Sequence, residues 1–432
     1  MEDSPGSSNV TANPRVRITT GEILPNGAIV DLVAVPDGER LHVLLWNGKE
    51  KPFIAPAIDG GAGIFYQPLD LDPTVREAIT FPSGAVEYGT DAELFAKVSD
   101  QFRNRVGLPE DLAVFATCWT LSTWILELML IPVTLVVSGV LRRQICNVLR
   151  LFGSLCRRAL PVAELSRGLP FSLNPTLLIN DPRLSAKACA SWQAANCHGL
   201  YVAGAGSTVR SLCCSKAVVL QPGDSPQVWG EEAMFLMLPP TDSAPLTSQM
   251  LTNIAAEFQP QLEMFRLRRL SGADQFVSTR HPLSRFELVR NLGACVPEDP
   301  EIVRILTPLL ESHQQDVLAQ RSCDPRVAIL EAIWIPSHDQ DEITVGEITK
   351  RTNAILRSRG ATQDYNVKQI GWKLKNLNFR TSSNGKQKVL AFWSTTRSRV
   401  HKYVQEFRLQ LPFRENCKDC QALQGIKEKP VE

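Results

Sequence analysis

A run of 30 residues, from position 112 to position 141, contains only one charged side chain, that of Glu127. A segment of this length could cross a bilayer, but Pro132 divides it and Glu127 would lie near its centre. The part before Pro132 is typical of a helix, and the part after it (VTLVVS) is rich in β-branched residues, like a buried parallel strand. We therefore expect a buried helix and a buried strand, and no membrane span.

Short apolar segments recur after this run. Residues 134–138, 176–179 and 216–220 predict strands, and residues 161–164 predict a short fourth one. Helical segments, such as residues 144–158, lie between them. Strands that alternate with helices predict an α/β fold with a parallel sheet covered on both faces. Residues 246–322 then predict three further helices.

The front of the chain has a different composition. Turn sequences such as Asn47-Gly48 interrupt residues 19–88, which predicts short strands joined by hairpins. Residues 1–110 contain 16 acidic and 9 basic side chains, a balance of −7. This acidic part is a candidate surface for partner proteins or for a second copy of the chain. The polar residues 1–18 predict a disordered tail.

The order helix, apolar strand, loop, helix over residues 112–152 is where nucleotide-binding proteins carry the sequence GxxxxGK[ST]. Glycines in that loop let backbone N–H groups surround the phosphates, the lysine neutralises them, and the hydroxyl group holds magnesium. The corresponding positions here run from Gly139 to Cys146. Gln144, Ile145 and Cys146 replace the second glycine, the lysine and the Ser/Thr, and each replacement removes a separate requirement for binding phosphate or magnesium.

A second nucleotide motif, an apolar strand that ends in Asp-Glu, is also altered. Asn180 and Asp181 follow the strand at residues 176–179, so the first acid has lost its charge. A trans-acting arginine would be expected after the last core strand, but residues 227–232 contain none. Four residues could still contact a nucleotide. Gly139 lies in the loop, Arg142 and Arg143 lie at the helix start, where the helix dipole favours anions, and Asp181 follows the strand at residues 176–179.

The runs VTLVVSGVLRRQICNVLRLFGSLCRRALPVAELS and NPTLLINDPRLS resemble the core of helicase-like P-loop ATPases of phages, plasmids and other mobile elements, including primase-associated ones. In working members the loop reads approximately SGPxGSGKTxxLRLL and the second strand TLLIDE. The alignment needs no gap over residues 138–152, and a weaker resemblance extends over residues 20–400. It implies a P-loop NTPase-like parallel sheet, a helical lid and a C-terminal winged helix, in a degenerate member without catalysis.

The C-terminal part of the chain is strongly basic. Residues 343–410 contain 14 basic and 3 acidic side chains, a balance of +11, which is typical of a unit that binds a polyanion. Thr344 and Glu347 form a capping-box sequence that predicts a helix start, and Asn366 predicts a second one before residues 367–377. Asn384-Gly385 predicts a hairpin. Two helices and a basic hairpin follow one another in a winged helix, whose second helix would enter the major groove of DNA.

The expected DNA-contacting residues are basic side chains of that second helix and of the hairpin: Lys368, Lys373, Lys375, Arg380, Lys386 and Lys388. A solvated basic face and a winged helix used for protein contact are the alternatives. The expected organisation is a disordered tail (1–18), a β-rich N-terminal domain (19–110), a degenerate P-loop NTPase-like core (111–245), a helical lid (246–340), a winged-helix domain (341–410) and a second tail (411–432).

Eleven cysteines are scattered along the chain. An odd number of cysteines, several of them in apolar runs, predicts reduced thiols in a cytoplasmic protein. Cys417 and Cys420 form a single CxxC, but a zinc site needs four ligands and neither a second cysteine pair nor a histidine pair follows. We therefore expect a polar tail there, and no metal site.

Together these observations predict a non-catalytic DNA-binding protein derived from a helicase-like P-loop ATPase, with no cofactor and with DNA as its partner. The main alternative is an ATP-dependent helicase or primase-associated ATPase with an unusual phosphate loop, in which ATP and magnesium still bind. A protein-interaction scaffold that contacts no nucleic acid is another alternative, and assembly into a homo-oligomer stays open.

Overall fold

The structure is a computed structural model that describes residues 15–35, 40–61, 63–166, 168–203, 209–221, 233–241, 244–272, 281–292, 295–361, 364–385, 387–407, 409 and 411–421. The chain divides into two compact units, Met1–His313 and Gln314–Glu432. The division lies inside one helix, Pro300–Ser322, and not near residue 340, where we expected a helical lid to end.

Two small sheets occupy the front of the first unit. Their strands are β1 (Arg15–Thr19), β2 (Glu22–Ile23), β3 (Ile29–Ala34), β4 (Leu41–Trp46), β5 (Phe53–Ala55), β6 (Ile58–Asp59) and β7 (Ile64–Pro68). One sheet has the order β2-β3-β4-β5 and is antiparallel, and the other has the order β1-β7-β6, with β1 parallel to β7. Residues 15–18, which we expected in a disordered tail, are therefore part of a paired strand.

A five-stranded parallel sheet forms the centre of the first unit, so the expected mixed α/β fold is confirmed at this level. The strands that follow β7 are β8 (Thr134–Gly139), β9 (Ala159–Val162), β10 (Thr176–Ile179), β11 (Val202–Ala203), β12 (Val209–Arg210), β13 (Lys216–Val219) and β14 (Ala233–Leu238). The parallel sheet has the order β14-β8-β13-β10-β9, while β11 and β12 pair with each other. Sequence analysis found four of its strands and missed β14.

The first unit also contains α-helices. They are α1 (Pro73–Ala78), α2 (Asp91–Val106), α3 (Glu110–Ser122), α4 (Arg142–Leu155), α5 (Ala186–Ala194), α6 (Ser248–Ser271), α7 (Glu287–Leu292) and the first part of α8 (Pro300–Ser322). The apolar run at residues 112–141 forms most of α3, a 3-10 helix (Thr123–Leu128) and β8, with Trp119 and Trp124 fully buried. Within the described ranges, no helix has the length and apolar character that a membrane crossing requires.

Helix α6 was expected in a lid but belongs to the body of the first unit. Its Phe258, Leu262 and Phe265 are buried in the same apolar cluster as Phe152 of α4 and Trp119 of α3. The helix continues through Pro260, whose carbonyl accepts a hydrogen bond from the N–H of Val86 at 2.9 Å. The position of α6 is therefore fixed by core packing.

The second unit contains α9 (Pro325–Asp339), β15 (Glu342–Thr344), α10 (Val345–Ser358), α11 (Val367–Asn376), β16 (Thr381–Asn384), β17 (Gln387–Ala391) and α12 (Ser394–Glu406). Its strands form an antiparallel sheet of order β15-β17-β16, and the pairing of β16 with β17 confirms the hairpin at Asn384-Gly385. Both helix starts are confirmed as well. The hydroxyl of Thr344 accepts from the N–H of Glu347, and Asn366 and Gln369 form a complete capping box.

Helix α9 and residues 411–421 belong to the core of this second unit. Ile333 and Trp334 of α9 share one apolar cluster with Ile370 and Leu374 of α11. Cys420 is only 1% exposed in the same cluster, which Leu411 and Phe413 also contact. The expected lid and tail thus cut through a continuous unit, because apolar side chains on both sides of residues 341–410 complete its core.

A buried cluster of charges joins three parts of the first unit. Asp31 of β3 is 1% exposed and forms ion pairs with Arg157, Arg158 and Arg266. The distances from Oδ2 of Asp31 are 3.0 Å to Nη2 of Arg157 and 2.6 Å to Nε of Arg266. Arg266 also donates hydrogen bonds of 2.6 and 2.8 Å to the carboxylate of Glu127. The cluster connects the front sheet, the α4–β9 connection and α6.

The carboxyl groups of the cluster differ in the direction of their pKa shifts. Burial alone would raise the pKa of Asp31, but the three guanidinium groups outweigh it and hold this pKa well below its ordinary value. Burial also opposes ionisation of Glu127, yet Arg266 and Arg157 lower its pKa to about 2. At Glu263 of α6, burial and the charge of Asp31 prevail and raise the pKa to about 8. Glu263 is therefore mostly protonated at neutral pH.

We expect Asp31→Ala to lower the free energy of unfolding by about 3–5 kcal/mol, because three buried guanidinium groups lose their shared carboxylate. Urea unfolding followed by circular dichroism measures this loss. Asp100→Ala is the matched control, since Asp100 forms an exposed ion pair with Arg103 at 3.6 Å, and removing such a pair costs at most about 1 kcal/mol. Equal losses for the two variants would contradict a stabilising role for the cluster.

A second prediction concerns pH. The folded carboxyl of Glu263 holds its proton up to a pKa of about 8, whereas the unfolded one loses it at about 4.5. Its contribution to stability therefore falls as the pH rises between about 5 and about 8. Glu263→Gln should remove this dependence, so the melting temperature of the variant relative to the natural chain should increase across that range. A difference that stays constant with pH would show that Glu263 does not titrate in this way.

Candidate functional site

The connection between β8 and α4 contains the residues that sequence analysis aligned with a phosphate loop. Strand β8 ends at Gly139 and α4 begins at Arg142, so only Val140 and Leu141 lie between them. The helix begins two positions before Gln144, the place of the second loop glycine. The N–H groups of Gln144 and Ile145 donate to the carbonyl of Leu141 at 3.0 and 3.2 Å. These two amides are therefore used inside the helix and do not point at a ligand.

Side chains at the start of α4 have structural contacts. Ile145 is 8% exposed and lies in the main apolar core. A Cβ atom on Gly139 would lie 3.1 Å from Cβ of Leu238 and 3.5 Å from Cγ1 of Ile145, so close packing of β8 against β14 and α4 favours glycine here. The amide of Gln144 donates to the hydroxyl of Thr241. Gly139, Gln144 and Ile145 thus hold α4 against its neighbours.

The end of β10 shows a similar change. The side-chain oxygen of Asn180 accepts a hydrogen bond from Nε2 of Gln221 at 3.1 Å. Both carboxylate oxygens of Asp181 accept backbone N–H groups, from Leu165 at 3.2 Å and from Arg183 at 2.9 Å. Asp181, which we considered as a nucleotide contact, is therefore a buried loop-forming residue. The segment 227–232, where we looked for a trans-acting arginine, lies outside the described residues.

A cavity of about 660 Å³ lies at the carboxyl edge of the sheet, beside this connection. Its described lining residues are Ser138, Gly139, Val140, Arg142, Ile145, Cys146, Asn180, Pro182, Val219, Leu220 and Gln221. Two of the four expected nucleotide contacts, Gly139 and Arg142, line it, whereas Arg143 and Asp181 do not. Arg142 is the one cation among these described lining residues, and they include no carboxylate. They could attract an anion, but they offer magnesium no charged ligand.

The second candidate site is the outer face of α11. Ile370 and Leu374 are fully buried, so the helix presents the opposite face to solvent. Lys368, Trp372 and Lys375 follow one another at spacings of four and three residues, which places them on one exposed stripe. Trp372 is 64% exposed. Sequence analysis identified the two lysines but missed the tryptophan between them, although its spacing from both was visible in the sequence.

The other expected DNA contacts have different positions. Lys373 is half-buried, and its Nζ lies 4.9 Å from the ring centre of Tyr365, so it flanks the buried face of α11. Arg380 precedes β16 and Lys388 lies on β17, and both are exposed. Lys386 lies outside the described residues. Within the described part of the second unit, Lys368, Lys375, Arg380 and Lys388 form no ion pair.

The charge of the second unit is lower than the count over residues 343–410 suggests. The three acidic residues of this range each form an ion pair inside it: Glu347 with Arg351, Asp364 with Arg357 and Glu406 with Lys402. Arg359 and Arg397, however, pair with acids before residue 343: Glu331 at 2.6 Å and Asp341 at 3.7 Å. Among the described residues of this range, the basic side chains without an ion pair lie mostly on α11 and at the hairpin, and the others are Lys350 of α10 and Arg399 of α12.

A third group of residues was not connected by sequence analysis. His338 of α9 and His401 of α12 lie beside Cys417 and Cys420, and one ligand atom from each of the four residues lies within 4.8 Å of all the others. We expected no metal site, because no histidine pair follows the CxxC. The two histidines instead precede it on separate helices, so no local spacing in the sequence could reveal them.

The sequence matches no protein-family model and no curated protein. Two solved structures of the C-terminal region of NrS-1 are similar to this chain, with TM-scores of 0.33 and 0.31. In each case the sequence identity is 9%, and the alignment covers 84% of this chain and 96% of the other. A similarity of this size carries no argument about the fold or the function.

Proposed function

We propose that this chain is a non-catalytic DNA-binding protein, and that its second unit is a winged helix that contacts duplex DNA. In this proposal α11 enters the major groove, and the hairpin of β16 and β17 contacts the phosphate backbone. The first unit is then a degenerate relative of helicase-like P-loop ATPases.

The observation that carries the proposal is the exposed stripe of Lys368, Trp372 and Lys375. The stripe has two cations that form no ion pair with the described residues, and an exposed aromatic ring lies between them. Nucleic acid offers a contact for each kind of side chain, because its phosphates attract cations and its bases and sugars can pack against a ring. A merely solvated basic face does not need a 64% exposed tryptophan. The stripe lies on the second helix, which is the one that enters the groove in winged-helix proteins.

The geometry of the first unit favours loss of catalysis. Helix α4 begins where a phosphate loop would still be open, and the amides at positions 144 and 145 are bonded to the carbonyl of Leu141. Ile145 occupies apolar core space where the motif needs an ammonium group. The described cavity beside this connection has no carboxylate for magnesium.

One observation favours the alternative of an ATP-dependent helicase or primase-associated ATPase. The cavity of about 660 Å³ lies at the carboxyl edge of a parallel sheet, where nucleotides bind in such folds, and Arg142 lines it. ATP held there would need its phosphates bound by Arg142 and its magnesium bound by water and phosphate oxygens alone.

We expect the double variant Lys368→Ala with Lys375→Ala to weaken binding to duplex DNA and to reduce its dependence on salt. Each phosphate contact that is lost should reduce the slope of log affinity against log salt concentration by about 0.9. Fluorescence anisotropy with a labelled duplex, over a series of salt concentrations, measures both effects. Trp372→Ala should weaken binding but leave the slope unchanged, because it removes no charge.

Lys49→Ala with Lys51→Ala is the matched control, because it removes the same charge from exposed positions of the first unit. Lys373→Ala should have a smaller effect than Lys375→Ala, because Lys373 is turned towards Tyr365. Equal weakening by the control pair, or a slope near zero in the natural chain, would contradict specific docking through α11.

A further prediction separates the two functions. We expect millimolar ATP with magnesium to leave the melting temperature of the purified chain unchanged and to release no phosphate. A nucleotide at 100 times its dissociation constant would add about 2.7 kcal/mol to the free energy of unfolding, which thermal unfolding detects readily. A raised melting temperature with phosphate release would favour the ATPase, and Arg142→Ala should then abolish the rise.

A further inference from the structure

The four ligand atoms of the His–Cys cluster lie within 4.8 Å of one another, and four of their separations are close to those of a tetrahedral metal site. Zinc at about 2.0–2.1 Å from nitrogen and 2.3 Å from sulfur places its ligand atoms about 3.3–3.8 Å apart. Nε2 of His338 and Nε2 of His401 are 3.1 Å apart, and Sγ of Cys420 is 3.3 Å from each of them. Sγ of Cys417 lies 3.4 Å from Nε2 of His401.

Hydrogen bonds orient both imidazole rings towards the centre of the cluster. Nδ1 of His338 lies 2.8 Å from the carbonyl oxygen of Trp334, and Nδ1 of His401 lies 2.8 Å from that of Arg397. A carbonyl only accepts, so each Nδ1 carries a hydrogen and each neutral ring presents the lone pair of Nε2 to the centre. Metal-ligating histidines are held by this kind of outer hydrogen bond.

A metal ion would give all four ligand atoms a common partner. The two Nε2 atoms, 3.1 Å apart, cannot form a hydrogen bond with each other while both rings are neutral, and the donors beside them are the weak thiol groups of Cys417 and Cys420 at 3.3–3.4 Å. The cluster is also closed on one side, because the ring of Trp334 packs against both imidazoles at centroid distances of 4.7 and 4.8 Å.

The four residues come from three separate segments of the second unit. His338 lies near the end of α9, His401 lies in α12, and both cysteines lie in residues 411–421. Two other contacts hold the last segment to α9: Nε1 of Trp334 donates to the carbonyl of Pro412 at 2.9 Å, and Arg414 pairs with Asp339 at 2.8 Å. A metal ion here would connect the segment to both helices.

We propose that His338, His401, Cys417 and Cys420 bind one zinc ion in a structural site of the Cys₂His₂ type. Two thiolates and two imidazoles in a tetrahedral arrangement select zinc over magnesium or calcium. Four protein ligands leave no open position for substrate, so the ion holds residues 411–421 in place and takes no part in catalysis. The site does not depend on DNA binding, and either function can fail without the other.

The metal content of the full chain tests this proposal. The chain is purified under reducing conditions from zinc-containing medium, desalted, and analysed by inductively coupled plasma mass spectrometry. We expect one zinc ion per chain, and loss of that zinc in Cys417→Ser with Cys420→Ser. Cys197→Ser with Cys323→Ser is the matched control, since it removes two half-buried thiols outside the cluster, and it should retain the zinc.

A cobalt titration keeps the test independent of whether the cysteine variant folds. The natural chain is stripped with a chelator and titrated with Co²⁺ under reducing conditions. We expect the intense visible bands of tetrahedral cobalt together with thiolate-to-metal charge transfer, and displacement of both by zinc. Absence of bound zinc and of a tetrahedral cobalt spectrum would overturn the proposal. So would a disulfide between Cys417 and Cys420, found by alkylation with and without reductant, or equal zinc loss in the control variant.

Discussion

The packing of the first unit depends on one carboxylate. Asp31 lies in the middle of a buried strand and accepts hydrogen bonds from three arginines. Two of them, Arg157 and Arg158, are neighbours in the chain, and the third is Arg266. These partners are 126, 127 and 235 residues away along the chain. Removing the carboxylate from a buried guanidinium costs about 3–5 kcal/mol, so these ion pairs favour an arrangement that brings the segments together. The charges thereby connect the front sheet, the parallel sheet and α6.

That arrangement also determines the position of α4. Gln259 of α6 donates to the carbonyls of Ser154 and Cys156 at 2.8 and 3.1 Å, directly before the two arginines. In the first half of α4, Asn147 donates to the carbonyl of Ala244 at 3.1 Å. The helix is thus held in both halves by side chains that pair with backbone groups.

The local features of the fold were visible in the sequence. Strand β10 has the predicted bounds, and the helix caps at Thr344 and Asn366 lie where the sequence places them, because strands and caps depend on neighbouring residues. Strand β14 was missed because its sequence, AMFLML, has no β-branched residue and consists mainly of helix-favouring ones. It pairs with β8 through tertiary contacts that override these preferences. Strand β1 was missed although Val16 and Ile18 alternate with arginines, because the segment directly follows the polar residues of the expected tail.

Long-range features of the candidate sites could not be predicted in this way. The lysines of α11 were found because the helix pattern is local, but the half-buried position of Lys373 depends on Tyr365, which lies before the helix. The histidines of the metal cluster lie 63 residues apart, on helices that the fold brings together. The ion pair of Arg359 with Glu331 likewise crosses the boundary that the charge count assumed.

The contacts at the start of α4 restrict the substitutions that this part of the chain tolerates. A lysine at position 145 would place an ammonium group in apolar core, and a glycine at position 144 would release Thr241 from its partner. Each exchange alone therefore weakens the packing of α4. A phosphate-binding loop could be built at this edge of the sheet only by several simultaneous substitutions that also repack the helix start.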